Sequence, residues 1–446
     1  MLLKGKITSS SFLPFILYWR ITLTQITLWN KIFLKMKNIK CKRCEIVMGK
    51  KLVQINTVCN NSTGKIMADI QREANRKGYE TISFVGRRKV FKDLRCEKYG
   101  NFISFWIHVA INTVLDRQGY GSYFMTKKLV RRLREEQPDI IHLHNLHGYY
   151  LYLPMLFDYL SNEFRGQLFW TFHDCWPFTG HCPYFTAHEC FKWRSGCNRC
   201  PSKKEYPISL FIDSSKKNYS DKRKMFCAVN DLTIITPSEW MAGWIRESFF
   251  KNYPIKVVNN GIDLNLFSYR QPHKEIFDKY HINKDKKILL GVASVWETRK
   301  GLNDLLNLAE ILSSEYQVIV VGVSKKQKRE LPINVIGIER TEMIEELVEL
   351  YSLAHIFINP SLEESFSLVT VEAIACGTPA IVLDTSAVKE LICENNGIVL
   401  NKHRTEDYLQ AIKELENRKL SRDEIMQTAS KYSVKNMLDK ISRLYN

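Results

Sequence analysis

The stretch NPSLEESFSLVTVEAIACGTP, residues 359–379, decides how this chain is read. An apolar run over 354–359 enters it as a buried strand and stops at Pro360, which has no N–H to continue a ladder. Ser365 or Ser367 can cap a helix through the apolar positions that follow, and Gly377 with Pro379 ends it. Glu364 then stands just before the helix and Glu372 about two turns in. The backbone N–H groups of Phe366, Ser367 and Leu368 lack intrahelical acceptors at the positive end of the helix dipole, where a diphosphate can sit. Glu372 can reach paired hydroxyls such as those of a ribose, and Glu364 a sugar beyond the phosphates.

From Met48 onward, apolar strand-like runs alternate with helix-like stretches, the pattern of parallel sheets covered by helices. One set of runs covers 52–57, 81–85, 139–144, 167–172, 232–236 and 255–258. A second covers 287–292, 317–321, 333–336, 354–359 and 380–383. Between them Asn259-Asn-Gly-Ile-Asp263 reads as a turn, and the polar stretch 271–287 as a linker. The expected fold is α/β with two Rossmann-like parallel-sheet domains facing across a cleft, where ligands meet both sets of strand ends. The expected boundaries are a basic extension at 1–47, a first domain at 48–268 with a Cys-rich loop at 175–201, and a second at 269–433. A C-terminal helix at 434–446 is expected to pack back on the first domain.

Composition fits this reading. The chain has 446 residues, 45% apolar and 25% charged, which suits two globular domains. The formal charge is +18, and residues 1–47 alone hold nine basic residues against one acid. Met48-Gly-Lys-Lys opens directly onto a strand, so 1–47 reads as a disordered extension or a misassigned start. The alternative is a membrane-surface anchor on Phe12, Phe15, Trp19, Trp29 and Phe33. The apolar run 11–19 is too short to span a bilayer. Twelve clustered cysteines suit a reducing, cytoplasmic compartment better than a disulfide scaffold.

The order strand, Pro-Ser, Glu364, Glu372-Ala and Cys-Gly-Thr-Pro resembles the signature of the family-4 glycosyltransferases, retaining enzymes of the GT-B fold. The resemblance covers about residues 48–435. It implies that Glu364 contacts the donor sugar and Glu372 the nucleotide ribose. Gly291-Val-Ala-Ser-Val-Trp-Glu-Thr-Arg-Lys-Gly301 resembles the family's loop over the donor phosphates, with Lys300 as the phosphate-binding lysine. A cation there neutralises charge on the departing diphosphate, the task a metal performs elsewhere. Ser294 stands about where the family has an arginine, with Arg299 as the substitute. The family often carries a Gly-rich loop after the first strand, which assigns Gly64 of Asn60-Asn-Ser-Thr-Gly-Lys-Ile66 a place near the ligand. Close backbone approach there competes with an ordinary strand-to-helix turn.

Phe169-Trp-Thr-Phe-His-Asp174 ends a strand on a His-Asp pair and resembles the family's strand-end histidine beside the transferred sugar. His173 is the candidate contact to the reacting region, and Asp174 its orienting group or a proton acceptor. His142 and His144 end the preceding strand similarly. Beyond lie Cys182, Cys190, Cys197 and Cys200, with His181 and His188 as substitutes, a set that four-coordinate structural zinc can use. Free thiols or a disulfide are the alternatives.

No Asp-x-Asp, Gly-x-Gly-x-x-Gly or P-loop motif occurs, which removes the metal-chelating pair of the other glycosyltransferase architecture and the dehydrogenase and NTPase readings. The expected activity is metal-independent transfer of a sugar, with retention, from a nucleotide diphosphate sugar to a hydroxyl acceptor, with no catalytic cofactor. The resemblance extends to bacterial enzymes of capsule and exopolysaccharide synthesis, which implies a lipid-linked glycan acceptor and a peripheral position on the inner face of the cytoplasmic membrane. Arg87, Arg88, Lys89, Lys92, Lys127, Lys128, Arg131 and Arg132 are the candidate lipid contacts. The rivals are an epimerase or glycoside phosphorylase of the same fold, and a zinc-stapled nucleic-acid binder. Basic runs do not alternate with stacking aromatics as a nucleic-acid module requires, so no nucleic-acid partner is expected.

Overall fold

A computed structural model of the chain describes residues 49–59, 61–87 and 91–446. The readings of the extension 1–47, and of Arg88 and Lys89 as lipid contacts, lie outside the described residues. Thirteen strands among the described residues form two sheets. The first holds β1 (Lys51–Asn56), β2 (Glu80–Val85), β3 (Cys96–Lys98), β4 (Ile140–Leu143), β5 (Gln167–Thr171), β6 (Leu232–Thr236) and β7 (Ile255–Val257) in the order β3-β2-β1-β4-β5-β6-β7. The second holds β8 (Lys287–Val292), β9 (Tyr316–Val321), β10 (Val335–Ile338), β11 (Ile356–Asn359), β12 (Ala380–Leu383) and β13 (Gly397–Leu400) in the order β10-β9-β8-β11-β12-β13. Every pairing is parallel.

Continuous apolar runs make parallel strands because both faces are covered. In the second sheet Leu290, Ile319, Phe357 and Val382 pack into one buried cluster, while their neighbours Leu289, Val318, Ile358 and Ile381 pack into another on the opposite face. Burying such side chains stabilises the fold by roughly 1.5–3 kcal/mol each. Strand order reverses between β1 and β4 and again between β8 and β11, and the loops leaving these four strands surround the two switch points where doubly wound sheets hold ligands.

The structure departs from the sequence expectation at the sheet edges. β3 and β13 add to the expected strands: Cys96-Glu-Lys98 has no apolar run to read, whereas Gly397-Ile-Val-Leu400 is an apolar run as long as β11 and β12 that the expectation omitted. The strand expected at 333–336 begins at Val335 instead, since Ile333 is fully exposed. The supposed linker contains a helix, Lys274–Tyr280, anchored by buried Ile276.

Six helices frame the two sheet mouths and the surface beside them: α1 (Asn61–Arg76), α2 (Phe102–Leu115), α3 (Tyr123–Glu136), α4 (Glu239–Glu247), α5 (Leu368–Ala375) and α6 (Val434–Tyr445). No helix among the described residues is long and apolar enough to cross a membrane. In α6, capped by Ser433, residues Met437, Ile441 and Tyr445 recur at four-residue spacing and are buried. The helix ends on the first sheet: the Tyr445 ring packs on Tyr79 and Phe169, and its carbonyl accepts a hydrogen bond from Lys50 Nζ at 3.2 Å.

Candidate active site

At the mouth of the second sheet, the loop after β8 closes in a 3₁₀ turn at Thr298–Lys300 and leaves through Gly301. Gly301 has φ +73°, and a Cβ there would lie 2.3 Å from the carbonyl oxygen of Pro360. Only glycine lets this loop lie so close to the turn after β11. The contact places Lys300 Nζ 2.5 Å from Glu364 Oε1, both side chains mostly buried. The Glu364 backbone is fixed in turn, its N–H donating to Ser386 Oγ at 3.1 Å.

Arg299 points elsewhere. Its guanidinium lies 3.8 Å from the centre of the Tyr184 ring, and Nη1 donates to the Glu363 carbonyl at 3.0 Å. It ties the Cys-rich loop to the turn after β11. The expectation that it stands in for the missing phosphate arginine therefore meets a guanidinium already committed to a ring and a carbonyl.

α5 begins where the sequence placed it, but Ser367 does not cap it. Ser367 takes a left-handed conformation, φ +82°, and its Oγ meets Asn359 Nδ2 at 2.9 Å and Thr370 Oγ1 at 3.0 Å. The first-turn amides of α5 thus have no side-chain cap. Phe366 is buried against Tyr432, so what it offers the mouth is backbone. Leu368 starts the helix. Glu372 Oε2 accepts the Tyr351 hydroxyl at 2.9 Å. Burial pushes the Glu372 carboxyl up to about 7, opposed by the Tyr351 hydrogen bond and by the charge of Lys65 on α1. Lys65 brings a cation of the first sheet's side within electrostatic reach of Glu372. Its neighbour Gly64 is explained by packing, since a Cβ there would lie 2.3 Å from the Cys59 carbonyl carbon.

The mouth of the first sheet holds a ladder of buried histidines. His142 and His144 stack, and His144 stacks on His173. Gln54 donates through Nε2 to the Met67 carbonyl, so its Oε1 faces His144 Nε2 at 3.1 Å as an acceptor. His144 must then donate there and accept at Nδ1 from His173 Nε2 at 3.2 Å. Among the described residues His173 Nδ1 has no hydrogen-bond partner and keeps its lone pair. Burial pushes its pKa down to about 4, so it is a neutral acceptor at physiological pH. At the far end, His142 Nδ1 meets the Tyr445 hydroxyl at 2.6 Å.

Asp174 does not orient His173. It accepts from His147 Nε2 at 2.7 Å and from the Trp176 N–H at 3.0 Å. Burial, the largest single influence, would raise its carboxyl, but the charge and hydrogen bond of His147, the Trp176 N–H and His173 together hold it below the usual carboxylate range. The partner of Asp174 is the third histidine of the β4 end, and that of His173 is His144.

Between the two mouths lies the Cys-rich loop. Glu363, completely buried, accepts the N–H groups of Phe185, Thr186 and Ala187 at 3.1, 2.8 and 3.2 Å. Burial nevertheless raises its carboxyl above the ordinary value, against those amides. Glu390 does the same for α4, taking the N–H groups of Glu239 and Trp240 at 3.0 and 2.5 Å. Adjacent glutamates thus have opposite tasks: Glu363 holds the loop, and Glu364 faces Lys300.

The expectation of structural zinc finds no support in the arrangement of the described residues. Cys182, Cys190, Cys197 and Cys200 line one small cavity, yet no group of three or more His, Cys, Asp or Glu among the described residues is arranged to hold a metal ion. Three of the four thiols have hydrogen-bond partners: Cys197 Sγ accepts the Gly180 N–H at 3.1 Å, and the Cys182 and Cys200 thiols are hydrogen-bonded to each other. Burial pushes the Cys197 thiol up to about 12, while the hydrogen bond with Cys182 brings the Cys200 thiol down to about 7. Of the substitute histidines, His188 Nε2 meets Glu205 at 2.9 Å, whereas His181 meets Asp116 through Nδ1 at 2.5 Å and its buried Nε2 has no hydrogen-bond partner among the described residues.

Sequence reasoning did not find Gln54, His147, Tyr184, Tyr351 or Glu363. His147 carried a signal, since it follows His142 and His144 at the same strand end; the others become visible only when distant segments meet.

Two family models match the chain: one described as Glycosyltransferase Family 4 over residues 64–266, and one described as Glycosyl transferases group 1 over residues 272–432. The putative colanic acid biosynthesis glycosyl transferase WcaC of Escherichia coli K12 is 24% identical over 330 residues, 72% of this chain and 75% of WcaC. The processive diacylglycerol alpha-glucosyltransferase of Acholeplasma laidlawii is 27% identical over 34% of this chain and 48% of its own length. Among solved structures, the sucrose-phosphate synthase of Thermosynechococcus elongatus superposes with a TM-score of 0.65 at 17% identity, covering 89% of this chain and 98% of that one. Anabaena Alr3699/HepE in complex with UDP and glucose does so with a TM-score of 0.62 at 15% identity, covering 89% and 99%. At these identities the structural likeness concerns the fold, which is GT-B.

Proposed function

We propose a specific chemistry for a chain that belongs to the glycosyltransferases, family 4 in its first half and group 1 in its second: transfer of a sugar, with retention, from a nucleotide diphosphate donor to a hydroxyl acceptor. Residues 48–268 are taken as the acceptor side and 269–433 as the donor side. The observation that carries this is the pairing of Lys300 with Glu364 at 2.5 Å, beside uncapped α5 amides and within one helix of Glu372.

In this reading Glu372 accepts the ribose hydroxyls. The amides of Phe366, Ser367 and Leu368 hold the diphosphate. Lys300 leaves Glu364 to meet the phosphate charge as it develops, and the freed Glu364 carboxylate accepts a hydroxyl of the donor sugar. Lys300 exchanges one ionic partner for another, and the Glu364 carboxylate exchanges its ionic partner for the hydrogen bond of the sugar hydroxyl. His173 offers its Nδ1 lone pair to a hydroxyl of the transferred sugar, and Gln54 and His144 fix that ring's tautomer. Same-face attack, with a donor phosphate oxygen taking the acceptor's proton, gives retention without a protein nucleophile.

Lys300 does the charge neutralisation that a divalent ion would otherwise supply, so transfer is expected to need no metal. WcaC is named for colanic acid biosynthesis, which supports a polysaccharide precursor, carried on a lipid at the inner face of the cytoplasmic membrane, as acceptor. The test is calorimetric titration with uridine and guanosine diphosphates and their sugars, followed by transfer assays with and without chelator and by NMR of the product anomer. Nucleotide binding that ignores Glu372→Ala, or transfer abolished by chelator in folded protein, overturns the proposal.

A further inference from the structure

We infer that the outer face of α2, with the start of α3 beside it, seats this protein on an anionic lipid surface. α2 has the sequence FISFWIHVAINTVL, without one charged residue. A helix apolar all round is ordinarily buried on every side. α2 is the reverse of an ordinary surface helix, because its two buried residues are the polar His108 and Asn112. His108 meets Ser122 Oγ and the Gly119 N–H, both at 3.1 Å, and Asn112 donates to the Ile208 carbonyl. With its polar groups satisfied inward, the helix turns Phe102 (76% exposed), Ile103 (69%), Trp106 (52%) and Ile107 (55%) outward.

The surface continues beyond the helix. Asn101, the N-cap of α2, reaches Met125 of α3, beside Phe124 (77% exposed). At the other end the Leu210 N–H bonds the Thr113 carbonyl, setting Phe211 (70% exposed) alongside. At ~200 Å² per large side chain, six such residues expose on the order of 700 Å² of apolar surface, more than a typical monomer's largest patch.

Charge chooses the occupant. Lys127, Lys128 and Arg131 are exposed and lie three, four and seven residues after Phe124, on the same face of α3. Cations rimming an apolar face with Trp106 fit anionic headgroups over acyl chains. A second copy docked about a twofold axis would turn the same cationic rim toward itself. The face also adjoins the site: Phe105 and His108 touch the Tyr149 ring, Tyr149 touches Tyr206, and the Tyr206 hydroxyl meets His147 Nδ1 at 2.9 Å. This deepens the proposed function and rests on it for its purpose, since a lipid-linked acceptor would be presented within a few side chains of Asp174.

The experiment is flotation of the full chain with phosphatidylglycerol/phosphatidylethanolamine vesicles and with phosphatidylcholine vesicles. The wild type should float with the anionic vesicles. A Phe102→Ser, Trp106→Ser, Phe124→Ser variant should lose at least tenfold in partition, and Lys127→Glu with Lys128→Glu should lose most of the preference for anionic lipid. Thermal shift with uridine and guanosine diphosphates checks that each variant is folded. Undiminished flotation of the triple variant overturns the inference. So does binding that disappears only when residues 1–47 are deleted, or a wild type that floats with no vesicle but is dimeric by light scattering until the triple substitution. Vesicle binding without binding of any nucleotide would instead count against the proposed function and leave the lipid surface standing.

Discussion

At the mouth of the second sheet, Glu364 and Glu372 come from one unbroken stretch, and Lys300 joins them through Gly301, where only glycine fits beside Pro360. At the mouth of the first, His173 takes its orientation from His144 and from Gln54 on a different strand, while Asp174 answers to His147. The second mouth is a local motif folded into place. The first is a meeting of segments, one of them 303 residues from its partner. A local motif carries its chemistry in ionic groups, and an assembled site carries it in tautomers and neutral acceptors, so the two should fail differently.

The largest effect is expected where charge is used. Lys300→Ala and Glu364→Ala should each lower turnover by at least ~100-fold, about 2.7 kcal/mol of transition-state stabilisation. Steady-state rates with the best nucleotide sugar decide it, and wild-type rates in both variants would remove the second mouth from the catalytic account. Measuring the double variant as well shows whether the pair acts as one unit.

That pair was legible in sequence because strand, turn and helix are adjacent there, and each local rule places its carboxylate relative to the next. The fold was legible for the same reason: continuous apolar runs marked eleven of the strands, whereas edge strand β3 buries too little to leave a pattern. The histidine ladder was legible only as three histidines near strand ends. Which nitrogen donates to which depends on Gln54, and nothing in the neighbourhood of Gln54 in sequence marks it as polar core. Glu363 was hidden by its neighbour, since two adjacent glutamates on a turn give no sign that one is completely buried in another loop.

Glu363 links the two mouths, and its removal should cost stability before rate. In Glu363→Gln an amide group replaces one of two carboxylate oxygens and faces backbone N–H groups it cannot accept from. At least one of the amides of Phe185, Thr186 and Ala187 is then left unsatisfied, at about 2 kcal/mol. The expected outcome is a lower melting temperature with nucleotide affinity retained. An unchanged melting temperature would mean that the Cys-rich loop is held by its own packing and that the mouths are less coupled than the geometry implies.

Glu372 supplies a smaller effect with a definite sign. Its carboxyl, pushed up to about 7 by burial, is half ionised near neutrality, and the ionised form accepts two ribose hydroxyls. Nucleotide affinity should therefore rise by up to about tenfold from pH 6 to pH 8, and Glu372→Gln should flatten that profile. Stability of the free protein runs the other way. A folded pKa above the unfolded value means that this group's stabilising contribution is present below pH ~4.5 and is lost as pH rises through about 7. Calorimetry and melting curves across this range test both slopes. An affinity that falls as pH rises would place the ribose elsewhere.

The smallest effect tests how far the assembled mouth extends. Tyr445→Phe removes the hydroxyl from His142 Nδ1 while keeping the ring packed on Tyr79 and Phe169. The lost hydrogen bond is worth about 1 kcal/mol of stability. His142 retains Thr171 Oγ1 at 2.6 Å and has only a stacking contact with His144, so the tautomer of His173 stays fixed by Gln54. Turnover should then change by less than about twofold, within ~0.4 kcal/mol. Gln54→Leu, by contrast, frees the His144 tautomer and should slow transfer several-fold while leaving nucleotide affinity alone. If Tyr445→Phe slows the reaction as much as Gln54→Leu does, the ladder transmits its order along its whole length, and the C-terminal helix becomes part of the site instead of a brace behind it.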